Sequence, residues 1–301
     1  ASSAASDVYK RQNYYKPEYV NENFDCFVIP LADAFRENFV NELNELTSFV
    51  KKLKIPCYVI GVGLKESYEP DFSQPKPQDE AVKKFVTAVL EKSNCIGVRG
   101  ELTGKYLETL GFAEGRDFMV IGCPSMYMKG KRLHIQNPKL DVNSKVCFNS
   151  NVAASVPTRK FIKLKMKEFE NHYFIGQVVN ELRSIYLGAP YEYKIEYNFR
   201  NVTDKIYQDG RLRFFCNVPK WMEFLNDSDL TFGSRLHGNI AAVLAGTPAL
   251  LVTKDSRTRE LAEYHHLNAI HESKLNEKLT LQELVEQLSL IHISEPTRPI
   301  S

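Results

Sequence analysis

An α/β fold organised on parallel sheets is predicted by three features of this chain. Short apolar runs closed by glycine, proline or polar turns alternate with segments whose apolar residues recur every three or four positions. The runs have the length and composition of buried parallel strands, so each sheet should be covered on both faces. The alternation is interrupted by a basic, aperiodic stretch, residues 129–143, and then resumes. That interruption reads as a linker between two α/β domains.

Residues 27–31 read as the first strand, followed by a helix on which Phe35, Phe39, Leu43, Leu46, Phe49, Val50 and Leu53 keep helical spacing. Residues 55–62 form a second strand, with Gly61 and Gly63 flanking Val62 in the turn after it. A polar loop, 66–78, leads to a helix over 80–92 with Val82, Phe85, Val86, Val89 and Leu90 on its apolar face. A strand at 95–98 precedes a helix over 103–110 that stops at Gly111. The strand 118–121 ends in Gly122, Cys123, Pro124 and Ser125. Beyond the linker, strands at 145–148, 173–175 and 212–215 alternate with helices over 160–171, 177–187 and 221–225. Residues 191–209 are aromatic and charged without a clear period, and helices over 258–264 and 279–288 close the pattern.

The stretch 230–252, LTFGSRLHGNIAAVLAGTPALLV, carries the strongest functional signal. β-prone Leu230, Thr231 and Phe232 run into Gly233 and Ser234, and Ser234 is the expected helix N-cap. Ile240, Val243 and Leu244 supply helical spacing, Gly246 ends the helix, and Pro248 prevents its continuation into the strand 249–252. Arg235, His237 and Asn239 therefore fall where a helix begins, at the carboxyl end of a strand. Unpaired backbone N–H groups and the positive end of the helix dipole favour an anion there. A guanidinium and an imidazole add charge and a proton donor.

Composition narrows the class. The chain has 301 residues, 43% hydrophobic and 25% charged, as ordinary globular proteins do. A net charge of +2 gives no global case for nucleic acid or membrane. No apolar run approaches the roughly 20 residues that span a bilayer. Cys26, Cys57, Cys95, Cys123, Cys147 and Cys216 include no C-x-x-C pair, which favours free thiols in a reducing cytoplasm over disulfides or zinc. The ends, ASSAASDVYKRQ and LIHISEPTRPIS, resemble translated cloning or sequencing adaptors, so 1–12 and 289–301 are set aside from the fold.

Several of the turns, in this order, resemble the polysaccharide pyruvyl transferase family. They are IPLADAFR (29–36), KIPCYVIGVG (54–63), IGVRGELT (96–103), IGCPSMYM (121–128), FGSRLHGNIAAVLAGTP (232–248) and KDSRTREL (254–261). The resemblance spans roughly 23–267 and is most specific in the S-R-x-H-G-N…A-G-x-P run. It implies two Rossmann-like domains facing each other across a cleft, as in B-type glycosyltransferases. Residues 13–128 would form the acceptor-side domain, 129–143 the linker and 144–288 the donor-side domain. Members usually begin with a strand and a polar turn. Here the adaptor-like tail takes that place, so the N-terminal domain is expected to be truncated. The implied reaction moves a pyruvyl group from phosphoenolpyruvate (PEP) to a saccharide hydroxyl, commonly closing a ketal, in cytoplasmic steps of exopolysaccharide or cell-surface polysaccharide synthesis.

PEP carries a phosphate and a carboxylate, which are best held by forked cations and a helix N-terminus. Arg235, Leu236 and Asn239 are the expected PEP contacts, joined by Arg99 after the strand 96–98. If the domains face each other, Arg99 and Arg235 approach from opposite walls. His237 is the expected general acid, because its pKa lies near working pH. Asp255, Ser256 and Arg257 form a further turn that would contact phosphate or acceptor. The competing structural accounts are a surface arginine at 235, a capping histidine at 237, turn-orienting by Asn239, and an N-cap by Asp255 or Ser256. Cys123 has no activating base nearby in sequence. His265, His266 and His271 match no metal-ligand spacing and read as surface residues. Gly61 and Gly63 lack the third glycine of a dinucleotide turn, and Tyr191, Tyr193, Tyr197 and Phe199 read as packing ahead of sugar stacking. The expected partners are PEP as donor, with no other cofactor, and a saccharide or lipid-linked glycan. That leaves room for peripheral contact with a membrane-borne acceptor. The rival readings are a B-type glycosyltransferase using a nucleotide sugar and a non-catalytic saccharide-binding protein.

Overall fold

The computed structural model describes residues 16–130, 133–135, 138–151, 153–190, 199 and 201–293, with side chains described as far as residue 287. Pro17 and Ser155 illustrate why helices start where they do: a proline at N1 opens α1 (Pro17–Asn23), and a serine N-cap accepting the Thr158 N–H opens the helix after residue 155. In the first unit β1 (Phe27–Pro30), α2 (Val40–Lys51), β2 (Cys57–Val62), α3 (Asp79–Leu90), β3 (Ile96–Val98), α4 (Glu101–Thr109) and β4 (Phe118–Val120) alternate. The strands pair in parallel in chain order, β1-β2-β3-β4.

Strand alternation sorts this sheet's side chains. Ile29, Val59, Ile96, Val98 and Phe118 enter a core shared with Leu43 and Leu46 of α2, Val82, Phe85 and Val89 of α3, and Leu107 of α4. On the other face, Val28, Tyr58 and Met119 are 45%, 44% and 52% exposed. Among the described residues this face is half-exposed, where the sequence predicts coverage of both faces. Strands added steadily in one direction through right-handed crossovers put every connecting helix on the same side.

The second unit contains β5 (Val146–Asn149), α5 (Val156–Met166), β6 (His172–Gly176), α6 (Val179–Leu187), α7 (Lys205–Gln208), β7 (Leu212–Phe214), α8 (Val218–Asn226), β8 (Leu230–Gly233), α9 (Leu236–Ala245) and β9 (Ala249–Thr253). After α10 (Ser256–Tyr264) come β10 (Ala269–His271) and α11 (Leu281–Ile293). Its parallel sheet runs β10-β9-β8-β5-β6-β7. From β5 the chain adds β6 and β7 on one side and then reverses to add β8, β9 and β10 on the other. Reversal brings helices to both faces, and β5, β8 and β9 are buried along their whole lengths. It also creates a switch point between the carboxyl ends of β5 and β8, where open α/β sheets bind ligands.

The chain divides after Tyr127, and residues 255–265 return to the first unit. The sequence reading kept this segment with 144–288. Its helix α10 belongs elsewhere because Ser256, Glu260 and Leu261 bury themselves in the first unit. The strand β10 also went unread, being short and half-buried. The stretch of α11 from 289 to 293 runs into the tail set aside from sequence, while 1–12, Tyr191, Tyr193 and Tyr197 lie outside the described residues. Phe199 is core, edge-on to Phe174. Among the described residues no helix is long and apolar enough to cross a membrane.

Candidate functional site

At the switch point β8 closes on Gly233, where a Cβ would overlap the Asn149 carbonyl oxygen and lie 2.5 Å from Asn149 Oδ1. Only glycine lets the two strand ends meet. Ser234 is not the N-cap expected of it. Its Oγ accepts the Asn151 N–H at 2.9 Å, and α9 starts one residue later with Arg235 at the N-cap and no side-chain cap. The Arg235 N–H is taken by Asn149 Oδ1 at 2.8 Å.

The Arg235 guanidinium is engaged within the protein. Nε donates to the Ser150 carbonyl at 2.7 Å and Nη2 to Glu181 Oε1 at 2.8 Å. Glu181, completely buried, also accepts the Gln177 and Val178 N–H groups at 2.5 and 3.0 Å. Arg235 thus ties the loops after β5, β6 and β8 together, with its charge balanced by a carboxylate. Asn239, 1% exposed, donates through Nδ2 to the Gly233 and Arg235 carbonyls at 3.2 and 2.9 Å, so it orients the turn and is closed off from a ligand. The Leu236 side chain is likewise interior. His237 is half-buried in the first turn of α9. The next residue, Gly238, faces two amides: a Cβ there would lie 2.5 Å from Gln177 Nε2 and 3.1 Å from Asn149 Nδ2. Helix dipole, uncapped first turn and amide groups together favour an anion beside His237.

In the first unit, cations gather around one acid past the carboxyl ends of β1, β2 and β3. Asp33 Oδ2 meets Arg36 Nη1 at 2.6 Å, Arg257 Nη1 at 3.7 Å and Lys65 Nζ at 3.9 Å. Burial acts to raise the Asp33 carboxyl, but Arg257, Arg36, a backbone N–H and Lys65 together hold it below the usual carboxylate range. Arg257 also faces Asp255 at 3.7 Å. Arg99, 5% exposed, donates Nε to the Gly61 carbonyl at 2.5 Å. Burial lowers its pKa, with Cys123, Asp33 and Glu260 acting against that and Arg257 adding to it, yet a guanidinium keeps its charge. Among the described residues, three buried guanidinium nitrogens, Arg36 Nε, Arg99 Nη1 and Arg257 Nε, have no acceptor. Orphaned charged donors at such a density suit a ligand with several anionic oxygens.

Of the turn 255–257, Arg257 alone joins this cluster as a donor. Asp255 caps α10, accepting the Thr258 N–H at 2.9 Å. Ser256 is fully buried against the loop after β2, where its Oγ accepts the Glu66 N–H at 2.9 Å and its own N–H donates to the Glu66 carbonyl at 3.2 Å, so it is closed to phosphate. Asp33, Arg36 and Lys65 were not singled out from sequence. The available signal was positional, since each sits in a polar turn directly after a strand. His265 is not the surface residue expected. Its Nε2 accepts the Cys123 N–H at 2.7 Å, and the left-handed Gly122 (φ 70°) leaves the ring its space. Among the described residues no group of three or more His, Cys, Asp or Glu side chains could hold a metal ion.

Solved structures to which the chain is similar include UDP-bound MnaA of S. aureus (12% identity, 97% of this chain and 72% of that one, TM-score 0.47); the UDP-GlcNAc 2-epimerase of Neisseria meningitidis bound to UDP-GlcNAc (11%, 96% and 74%, 0.46); and the glycotransferase of kitacinnamycin (10%, 89% and 94%, 0.36). No curated protein sequence matches it. A family model described as polysaccharide pyruvyl transferase matches residues 5–256.

Proposed function

As the chain belongs to the polysaccharide pyruvyl transferase family, we propose that its donor is PEP and that its product is a pyruvate ketal on a saccharide. The observation that carries the donor assignment is the trio of acceptor-less guanidinium nitrogens on Arg36, Arg99 and Arg257, which matches a small ligand with phosphate and carboxylate oxygens. Arg99 and Arg257 are the binding residues. His237 is the general acid, at a helix N-terminus that stabilises anionic oxygen. Leu236 contributes backbone, and Arg235 and Asn239 hold the turn that presents His237.

The chemistry balances with these groups. A proton moves from His237 to the PEP methylene, turning CH2 into CH3 and leaving C2 electron-poor. One sugar hydroxyl forms a C–O bond to C2, and its proton returns to the imidazole. The bond from C2 to the phosphate oxygen breaks. A second hydroxyl closes the ketal, and its proton leaves with inorganic phosphate. A bound phosphate favours the charged imidazole. His237→Ala should lower turnover by about 10²–10⁴-fold while PEP still raises the thermal midpoint. Phosphate release together with the mass gain of a pyruvyl ketal on a glycan panel measures the reaction. Stabilisation by nucleotide sugars and not by PEP would sink the donor assignment.

A further inference from the structure

We propose that Glu260 is a positioning residue: by capping α4 from outside, it sets the loop that carries Arg99. The inference rests on the anion-binding role of Arg99 given above. Gly100, the N-cap of α4, has no side chain to offer the helix's first N–H groups. Glu260 of α10 takes over that task. Its Oε2 accepts the Thr103 N–H at 2.9 Å, and Thr103 Oγ1 donates to its carboxylate at 2.9 Å. The same Thr103 Oγ1 accepts the Leu64 N–H at 2.9 Å. One buried carboxylate therefore links three segments: residue 64 beside Lys65, the Arg99–Thr103 turn, and α10, where Arg257 lies one turn before Glu260.

The fit is close, and two glycines allow it. A Cβ on Gly100 would lie 2.6 Å from Glu260 Cβ and 2.9 Å from its Oε2. A Cβ on Gly63 would lie 3.1 Å from Glu260 Oε1 and 3.0 Å from Arg99 Cδ, so the carboxylate and the arginine stem flank the same glycine. Glu260 and Thr103 are 1% and 0% exposed, which rules out a role in direct contact with a saccharide. The carboxyl is pushed up to about 7 by burial, with the Thr103 bonds and Arg99 opposing and Glu263 of the same helix adding. Among the described residues, Arg99 and Glu263 are the charged groups that act on it most. Above about 7 it is ionised and holds Thr103 and, through it, the Arg99 loop. Below that value it gains a proton and the hold slackens.

The test compares wild type, Glu260→Gln, Glu260→Asp and Arg99→Lys by KM for PEP and by kcat, across a pH range centred on 7. Wild type should show KM rising as pH falls through about 7. Glu260→Gln keeps the side-chain volume and should fold. It should raise KM about tenfold at high pH, the cost of one charge-assisted hydrogen bond, with kcat little changed, and it should abolish the wild-type pH step. The titration of PEP itself appears equally in both proteins and cancels. Glu260→Asp, which keeps the charge on a shorter stem, should recover the pH step but not the low KM. Unchanged KM in Glu260→Gln at high pH, or a variant-to-wild-type KM ratio that stays constant as pH falls through about 7, overturns the proposal. If wild type does not turn over PEP at all, the donor assignment has failed. The same four proteins are then compared by their affinity for inorganic phosphate, where the same loss and the same pH step are expected, and their absence overturns the role of Glu260.

Discussion

Arg99 and Arg235 occupy equivalent places, each just past a strand and ahead of a helix, one in each unit. Their surroundings differ. Arg235 faces Glu181, a carboxylate with no solvent exposure, and its Nε meets a backbone carbonyl. Arg99 has a carbonyl on Nε but, among the described residues, no acceptor on the buried Nη1, and it shares its neighbourhood with Arg257 and Asp33. An arginine that is neutralised inside the fold is an architectural part. An arginine buried among other cations is an open electrostatic question that a ligand answers. Sequence position cannot separate the two, because the deciding partner of Arg235 lies 54 residues away in the chain.

The comparison can be broken most directly at Arg235. Arg235→Ala takes the guanidinium away from the buried Glu181 carboxylate, and should destabilise the protein by about 3–5 kcal/mol, read by denaturant unfolding. A loss no larger than that of an exposed ion pair would mean that Arg235 is as free for ligand as Arg99. Arg257→Ala should be milder, on the order of 1 kcal/mol or less, because Asp33 keeps Arg36 at 2.6 Å. It should nevertheless remove most of the thermal stabilisation produced by PEP. Retention of that stabilisation would take the anion site away from the cluster. The smallest effect is expected on the sheets: Tyr58→Lys, on the half-exposed face of β2, should change stability by no more than about 0.5 kcal/mol. A core-sized loss there would show that the face is covered.

Much of the fold was legible. Continuous apolar runs announced the second unit's buried strands, and the strand-turn-helix grammar of 230–252 gave β8, α9 and β9 in order. The missed features share one physical origin, long-range partnership. Ser234 was a good N-cap by residue type, but the Asn151 N–H claimed its hydroxyl. The open face of the first sheet follows from strand order, which periodicity does not encode. Of the candidate residues in the two units, Arg99, Arg257 and His237 were visible as polar residues following strands. Glu260 was not, since a glutamate within a helix looks solvated until its partner Thr103, 157 residues distant, is known.

The return of residues 255–265 to the first unit has a temporal consequence. The segment 128–254, the body of the second unit, is made before Asp255, Arg257 and Glu260 emerge. At ribosomal speeds of about 5–20 residues per second, that separation lasts roughly 6–25 s. During that interval a nascent chain holds β1 to β4 and Arg99 without the helix that caps α4, so the anion site is finished late in synthesis. A ribosome stalled within 128–254 would display a first unit that lacks the helix carrying Arg257 and Glu260.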